Sequence, residues 1–114
     1  MFRKKKRLVI NLDKEMNYEQ IVALRSTPIP DSNRFGNSLC RCGIQLYNEY
    51  GEKRTFDELI SDLIRIFDRI DTLNQWVFID LLNSKFKDFK FESDSNKKAT
   101  KELRKWRPKD YWRD

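Results

Sequence analysis

With 114 residues, 37% of them charged and 13% aromatic, the chain is long enough to bury a core without metal or disulfide staples, and its 39% hydrophobic content excludes a disordered polymer. The net charge of +6 is gathered at the ends: Arg3, Lys4, Lys5, Lys6 and Arg7 give five cations, residues 97–114 hold eight cations and three anions, and residues 8–96 keep eleven cations against fifteen anions. Basic ends on a mildly acidic body direct polyanions to the extremities and divide the single domain into an arm (1–7), a core (8–94) and a basic aromatic helix and tail (95–114).

The first element is a strand. "RLVINL" places Leu8, Ile10 and Leu12 on one side of an extended segment and Arg7, Val9 and Asn11 on the other. Asn17 followed by Gln20 then makes a helix cap, with Ile21 and Val22 as a small apolar face. "TPIPDSNRFGNS" reads as a loop, because its prolines and turn residues sustain neither ladder nor helix. Alternation returns in "LCRCGIQLY", so a second strand is expected over 39–47 with Cys40, Cys42, Ile44 and Leu46 on one face. "NEYGEK" is a turn with Gly51 at positive φ.

Thr55 with Glu58 predicts a capping box for a helix over 56–70, whose apolar positions Phe56, Leu59, Ile60, Leu63, Phe67 and Ile70 recur at helical spacing. Thr72 with Gln75 repeats the device and starts a helix to about Phe86, with Leu73, Trp76, Val77, Leu81 and Leu82 on its buried side. Phe86, Phe89 and Phe91 line a short strand or an irregular edge. Ser95 or Asn96 caps a last helix that Pro108 stops, with Ala99, Leu103 and Trp106 on its docked face. The expected architecture is α+β: a small antiparallel sheet built from residues 7–12 and 39–47, packed against the helical hairpin 56–86, with a C-terminal helix.

The absence of histidine from the sequence removes Ser/His and Cys/His constellations. One C-x-C pair does not supply the four ligands of a structural zinc site, so Cys40 and Cys42 read as small apolar fillers, reduced thiols of a reducing compartment. Asp57, Glu58, Asp62, Asp68 and Asp71 crowd one helical region, and Asp88 with Lys90 imitates the D-x-K fragment of a nuclease; a solvated, dipole-stabilising helix face accounts for the first group, and no motif fixes a catalytic geometry. Asp80, set among Trp76, Val77 and Leu81, is expected in a rim salt bridge with Arg41 or Arg54. "FGNSLCRCG" lacks the lysine and hydroxyl of a phosphate loop, so no nucleotide, metal or other cofactor is called for.

What remains is charge with aromatics. Arg3, Lys4, Lys5, Lys6 and Arg7 at one end, and Arg104, Lys105, Arg107, Lys109 and Arg113 among Trp106, Tyr111 and Trp112 at the other, suit phosphates and unpaired bases. The sequence therefore predicts a non-catalytic binder of RNA or single-stranded DNA, with Tyr111 and Trp112 as stacking residues and the two basic ends meeting as one landing zone. An alternative is a small regulator or inhibitor that binds a protein through the aromatic tail, in the manner of viral, phage or plasmid accessory proteins; the scarce Ala and Gly and plentiful Lys, Asn and Ile suit the AT-rich genomes such elements carry. A peripheral protein on anionic membrane ranks below both, because no long basic amphipathic helix is present. No apolar run of bilayer length follows the basic start, so a cytoplasmic protein is expected, or a nuclear one in a eukaryotic host.

Overall fold

A computed structural model describes residues 6–106; within the last helix the side chains of Thr100 and of 102–106 lie outside the description. The chain runs β1 (Leu8–Asn11), α1 (Tyr18–Arg25), α2 (Asn33–Arg41), α3 (Phe56–Ile66), a 3-10 turn (Phe67–Arg69), α4 (Thr72–Lys85), β2 (Phe89–Glu92) and α5 (Asp94–Trp106). The described residues thus form five α-helices around a two-stranded sheet.

That sheet is parallel, which corrects the antiparallel arrangement expected from sequence. Leu8 lies opposite Phe89, Ile10 opposite Phe91 and Asn11 opposite Glu92. A parallel pair needs a crossover connection, and here the crossover contains α1 through α4. Two strands alone leave both outer edges unpaired, and two carboxamides close them. The Gln20 side chain donates to Val9 O on the β1 edge at 2.6 Å. On the β2 edge Asn83 accepts from Phe91 N at 2.8 Å and donates to Phe91 O at 2.9 Å, as a third strand would.

The partner strand expected over 39–47 is absent, because α2 occupies its first three residues and also the last part of the expected loop. Ser32 caps α2 by accepting from Phe35 N, and Phe35 and Leu39, one helical turn apart, are both buried. Asn, Gly and Ser are weak helix formers, so burial of those two side chains decides the segment. The helix ends in a Schellman arrangement: Gly43 stands at φ 77°, its N–H reaches Cys40 O, and Ile44 N–H reaches Leu39 O at 2.9 Å. Ile44 and Leu39 are buried beside that cap. The alternation in "LCRCGIQLY" was therefore a helix C-terminus with its Gly stop, and Cys40 is exposed rather than inward.

Other local signals moved by a residue or two. Asn17 and Gln20 do form the reciprocal capping box of α1. At α3 the expected box is incomplete, since the Thr55 hydroxyl makes no cap hydrogen bond and donates to Glu58 Oε1 instead. For α4 the cap is Asp71, which accepts from Asn74 N at 2.7 Å and displaces Thr72 into the helix. Gln75, freed from capping, is buried and donates to Phe67 O, tying α4 to the 3-10 turn. At α5 the Ser93 hydroxyl accepts from Asn96 N, so the cap is Ser93 and neither Ser95 nor Asn96 as expected.

The core is a phenylalanine cluster between the helices and the sheet. Phe56 and Phe86 stack with ring centroids 4.1 Å apart, Phe35 reaches Phe56, Phe78 and Phe86, and Phe91 meets Phe56 and Phe86 edge-on. Because Phe78 joins this cluster, α4 buries Gln75, Phe78, Leu81 and Leu82. Leu81 and Leu82 are inside as expected, whereas Leu73, Trp76 and Val77 are turned out.

Candidate nucleic-acid interface

The side chains that close β2 and start α5 also shape a groove. Asn83 fixes β2 beside α4, and Asn96 Nδ2 donates to Thr72 O and to Gln75 Oε1, fixing the beginning of α5 beside the same helix. Asp13 holds α5 from the other side, accepting from the Ser95 backbone N–H and from the hydroxyls of Ser93 and Ser95. Between α4, β2 and α5 lies an open groove of about 500 Å³. Ile79 and Phe91 contribute its apolar surface, and Trp76, 46% exposed, stands on its wall. Lys90 points outward between buried Phe89 and Phe91 by strand alternation, and Lys97 and Lys101, four residues apart on α5, share one helix face. Glu92 is the acid among these groove residues, 3.2 Å from Lys97 Nζ and 4.0 Å from Lys90 Nζ. Exposed pairs of this kind contribute little, so the lysines stay available to an anion.

A second basic groove lies where the N-terminal arm meets the sheet. Arg7 Nε donates to Lys87 O and Leu8 N–H to Asp88 O, which sets Lys6 and Arg7 beside Lys87 against α1. This groove measures about 310 Å³ and adjoins one of about 280 Å³ bounded by Lys85 and by Pro28, Ile29 and Pro30. Asp88 is the acid there.

The carboxylates counted as catalytic candidates are placed differently. The cleft between α1 and α3, about 560 Å³, is acidic, with Glu15, Asp57, Glu58 and Asp62 beside Arg54 and Arg65, and three of its four carboxylates are paired with arginines. Arg54 bonds Asp62 at 2.7 Å and approaches Glu58 at 3.6 Å, Arg65 also pairs with Asp62, and Arg25 reaches Asp57 Oδ2 at 3.0 Å. The Thr55 hydroxyl has one proton and gives it to Glu58, which leaves buried Asp57 Oδ1 without a donor. That hydrogen bond, with one from the Thr55 backbone and the Arg54 charge, holds Glu58 below its ordinary value against the opposing effect of burial. Asp71 is the α4 cap, and Asp80 is exposed while Arg54 engages Asp62 and Glu58. Asp88 and Lys90 open into different grooves. Burial pushes the Cys42 thiol up, and among the described residues no group of three or more His, Cys, Asp or Glu is gathered to hold a metal.

Of the residues singled out from sequence, the structure therefore places Lys6 and Arg7 together in the arm groove. Arg104 and Lys105 are on α5 with side chains outside the description. Arg3, Lys4, Lys5, Arg107, Lys109, Tyr111, Trp112 and Arg113 lie outside the described residues. Because the strands are parallel, Arg7 lies at the Leu8–Phe89 end and α5 departs from the Asn11–Glu92 end, roughly 10 Å away along the sheet. Sequence reasoning missed Trp76 as a surface group, and with it Lys85, Lys87, Lys90, Lys97 and Lys101. The available signal was an excess of apolar residues on α4: Leu73, Trp76, Val77, Phe78, Ile79, Leu81 and Leu82 are too many for one helix face. Comparison with protein families, curated proteins and solved structures gave no match. No described helix is long and apolar enough to cross a membrane.

Proposed function

We propose that the protein is a non-catalytic binder of single-stranded nucleic acid, RNA or DNA, and that the α4–β2–α5 groove is its base-holding site. The observation that carries this reading is Trp76, half exposed in a groove whose rim bears Lys90, Lys97 and Lys101. An indole face accepts any base by stacking, and lysines neutralise the flanking phosphates without reading sequence. The groove is open to solvent, and its lysines are on β2 and α5, which Asn83 and Asn96 hold against α4. The basic ends, Arg3 to Arg7 and Arg104 to Arg113, are proposed as additional phosphate contacts.

Titration of a labelled oligouridine or oligothymidine at rising salt tests the reading. Three lysine contacts give a log–log salt slope of about −2, steeper when the ends contribute. Trp76→Ala should weaken binding by about 5- to 150-fold, the equivalent of about 1–3 kcal/mol for one stacked base. Absence of binding at low ionic strength, or a folded Trp76→Ala variant that binds as well as the parent, overturns it.

A second reading, a regulator that docks on another protein, is favoured by the same helix. Leu73 and Val77 flank Trp76 on the exposed side of α4 at 66% and 47% exposure, an apolar stripe of the kind that anchors interfaces. Leu73→Ser with Val77→Ser separates the two: oligonucleotide affinity is retained if bases stack on Trp76, whereas a protein dock loses its partner and binds no oligonucleotide before or after the change.

A further inference from the structure

The turn at 47–53 is built as a rigid projection. Tyr47 and Lys53 form an antiparallel bridge, Asn48 Oδ1 accepts from Tyr50 N and from Glu52 N at 2.9 Å each, and Gly51 N–H returns to Asn48 O. Gly51 stands at φ 79°, a conformation that a side chain disfavours. The result is a tip that displays Tyr50, 78% exposed, between the carboxylates of Glu49 and Glu52. A single exposed tyrosine is ordinary. Here the tyrosine stands between two glutamates on a turn whose main chain is closed by these hydrogen bonds, with its own N–H held by Asn48 Oδ1, so little backbone freedom remains to be lost on docking.

The complement of that tip is on the same molecule. The paired arm grooves are lined by Lys6, Arg7, Lys85 and Lys87, four cations against the single acid Asp88, together with apolar Ile29 and Phe89. Tip and groove are neighbours: Lys53 Nζ, at the foot of the tip, donates to Ile29 O at 3.1 Å and to Asp31 at 2.8 Å, and Ile29 is part of the groove wall. Lys53 and Asp31 neutralise each other, so the tip keeps the charge of Glu49 and Glu52.

We infer that two copies of this chain associate by exchanging tips, with Glu49, Tyr50 and Glu52 of each copy seated in the Lys6–Arg7–Lys85–Lys87 groove of the other. A two-fold axis beside adjacent complementary features makes both contacts at once, and an isologous pair closes without growing into a filament. The contact is independent of the Trp76 groove and stands whether or not that groove binds nucleic acid. It also occludes the arm groove, so a polyanion that reaches Lys6 and Arg7 competes with the tip.

Sedimentation of the whole chain, freed of nucleic acid and at low salt, tests this. The parent should show a concentration-dependent monomer–dimer equilibrium that weakens as salt is added. Glu49→Lys with Glu52→Lys, or Lys85→Glu with Lys87→Glu, should raise the dimer dissociation constant about tenfold or more through like-charge contacts. The chain carrying all these substitutions restores opposite charges across the contact and should dimerise again, which separates charge pairing from loss of fold. A parent that stays monomeric at the highest concentration reached overturns the inference. So does self-association that survives both charge reversals, which would place the contact elsewhere, for instance on the Leu73–Val77 stripe.

Discussion

The α1–α3 cleft and the α4–β2–α5 groove are close in size, about 560 and 500 Å³, and differ in what their charges are doing. In the cleft each of Asp57, Glu58 and Asp62 has an arginine within 4 Å, so its polar groups serve the fold. In the groove Lys90 and Lys97 share Glu92, Lys101 is a third lysine of the lining, and an indole lies beside them half uncovered. Volume alone would have ranked them together. The contrast teaches that uncompensated charge next to exposed apolar surface marks a surface open to a partner, whereas paired charge marks one already satisfied.

The contrast is broken most sharply by crossing two substitutions. Trp76→Ala should lower oligonucleotide affinity by the 5- to 150-fold range given above, about 1–3 kcal/mol, measured at a temperature where the variant is folded, since about half of the residue is buried. Arg25→Ala should act on stability alone. It removes the cation from Asp57, whose side chain is only 8% exposed and already has one orphaned oxygen, so Tm falls by a few degrees while oligonucleotide affinity stays the same. If Arg25→Ala impairs binding as much as Trp76→Ala at equal stability, the cleft belongs to the site and the distinction fails.

Glu92→Gln sharpens the comparison from the other side. Removing the groove's acid takes away a negative charge that repels phosphate beside Lys97 and Lys90, so affinity should rise severalfold at an unchanged salt slope, read in the same titration. The smallest effect concerns the clamp that positions α5. Burial raises the Asp13 carboxyl, but hydrogen bonds from Ser95 and Ser93 outweigh it and hold it below its ordinary 3.8. A depressed folded value means that the clamp's stabilisation is present at neutral pH and is lost as pH falls through and below about 3.8. Acid unfolding followed by circular dichroism should therefore show part of the helical signal leaving in that range. Asp13→Asn should be less stable than the parent at neutral pH and flatter across the acid range; a parallel acid profile would remove Asp13 from the clamp.

Legibility in the sequence followed the range of the interaction. Leu8–Asn11 as a strand, the Asn17–Gln20 cap, the Gly51 turn and the amphipathic run from Phe56 are local patterns, and each is found where its residues put it. α2 was illegible because Asn33, Gly36 and Ser38 argue against a helix, and only contacts of Phe35 with Phe56, Phe78 and Phe86 override them. Its Gly43 stop was visible, but a two-residue alternation resembles a helix end over so short a span. The site was harder still. Lys97 and Lys101 belong to a segment already marked as basic, but Trp76 reads as core in any pattern that does not know which side of α4 Phe78 must take.

The sequence alone determined where charge accumulates, which chemistries histidine's absence removes, and a few local elements, the first strand, the Asn17–Gln20 cap and the helix from Phe56, because these depend on composition and on neighbours within a turn. Tertiary structure alone decided that β1 and β2 run parallel, that α4 turns Trp76 outward, and that Lys90, Lys97 and Lys101 gather beside it. Strand direction and helix rotation are set by burial of a shared phenylalanine cluster assembled from residues 35 to 91, and no local pattern encodes a contact over that distance.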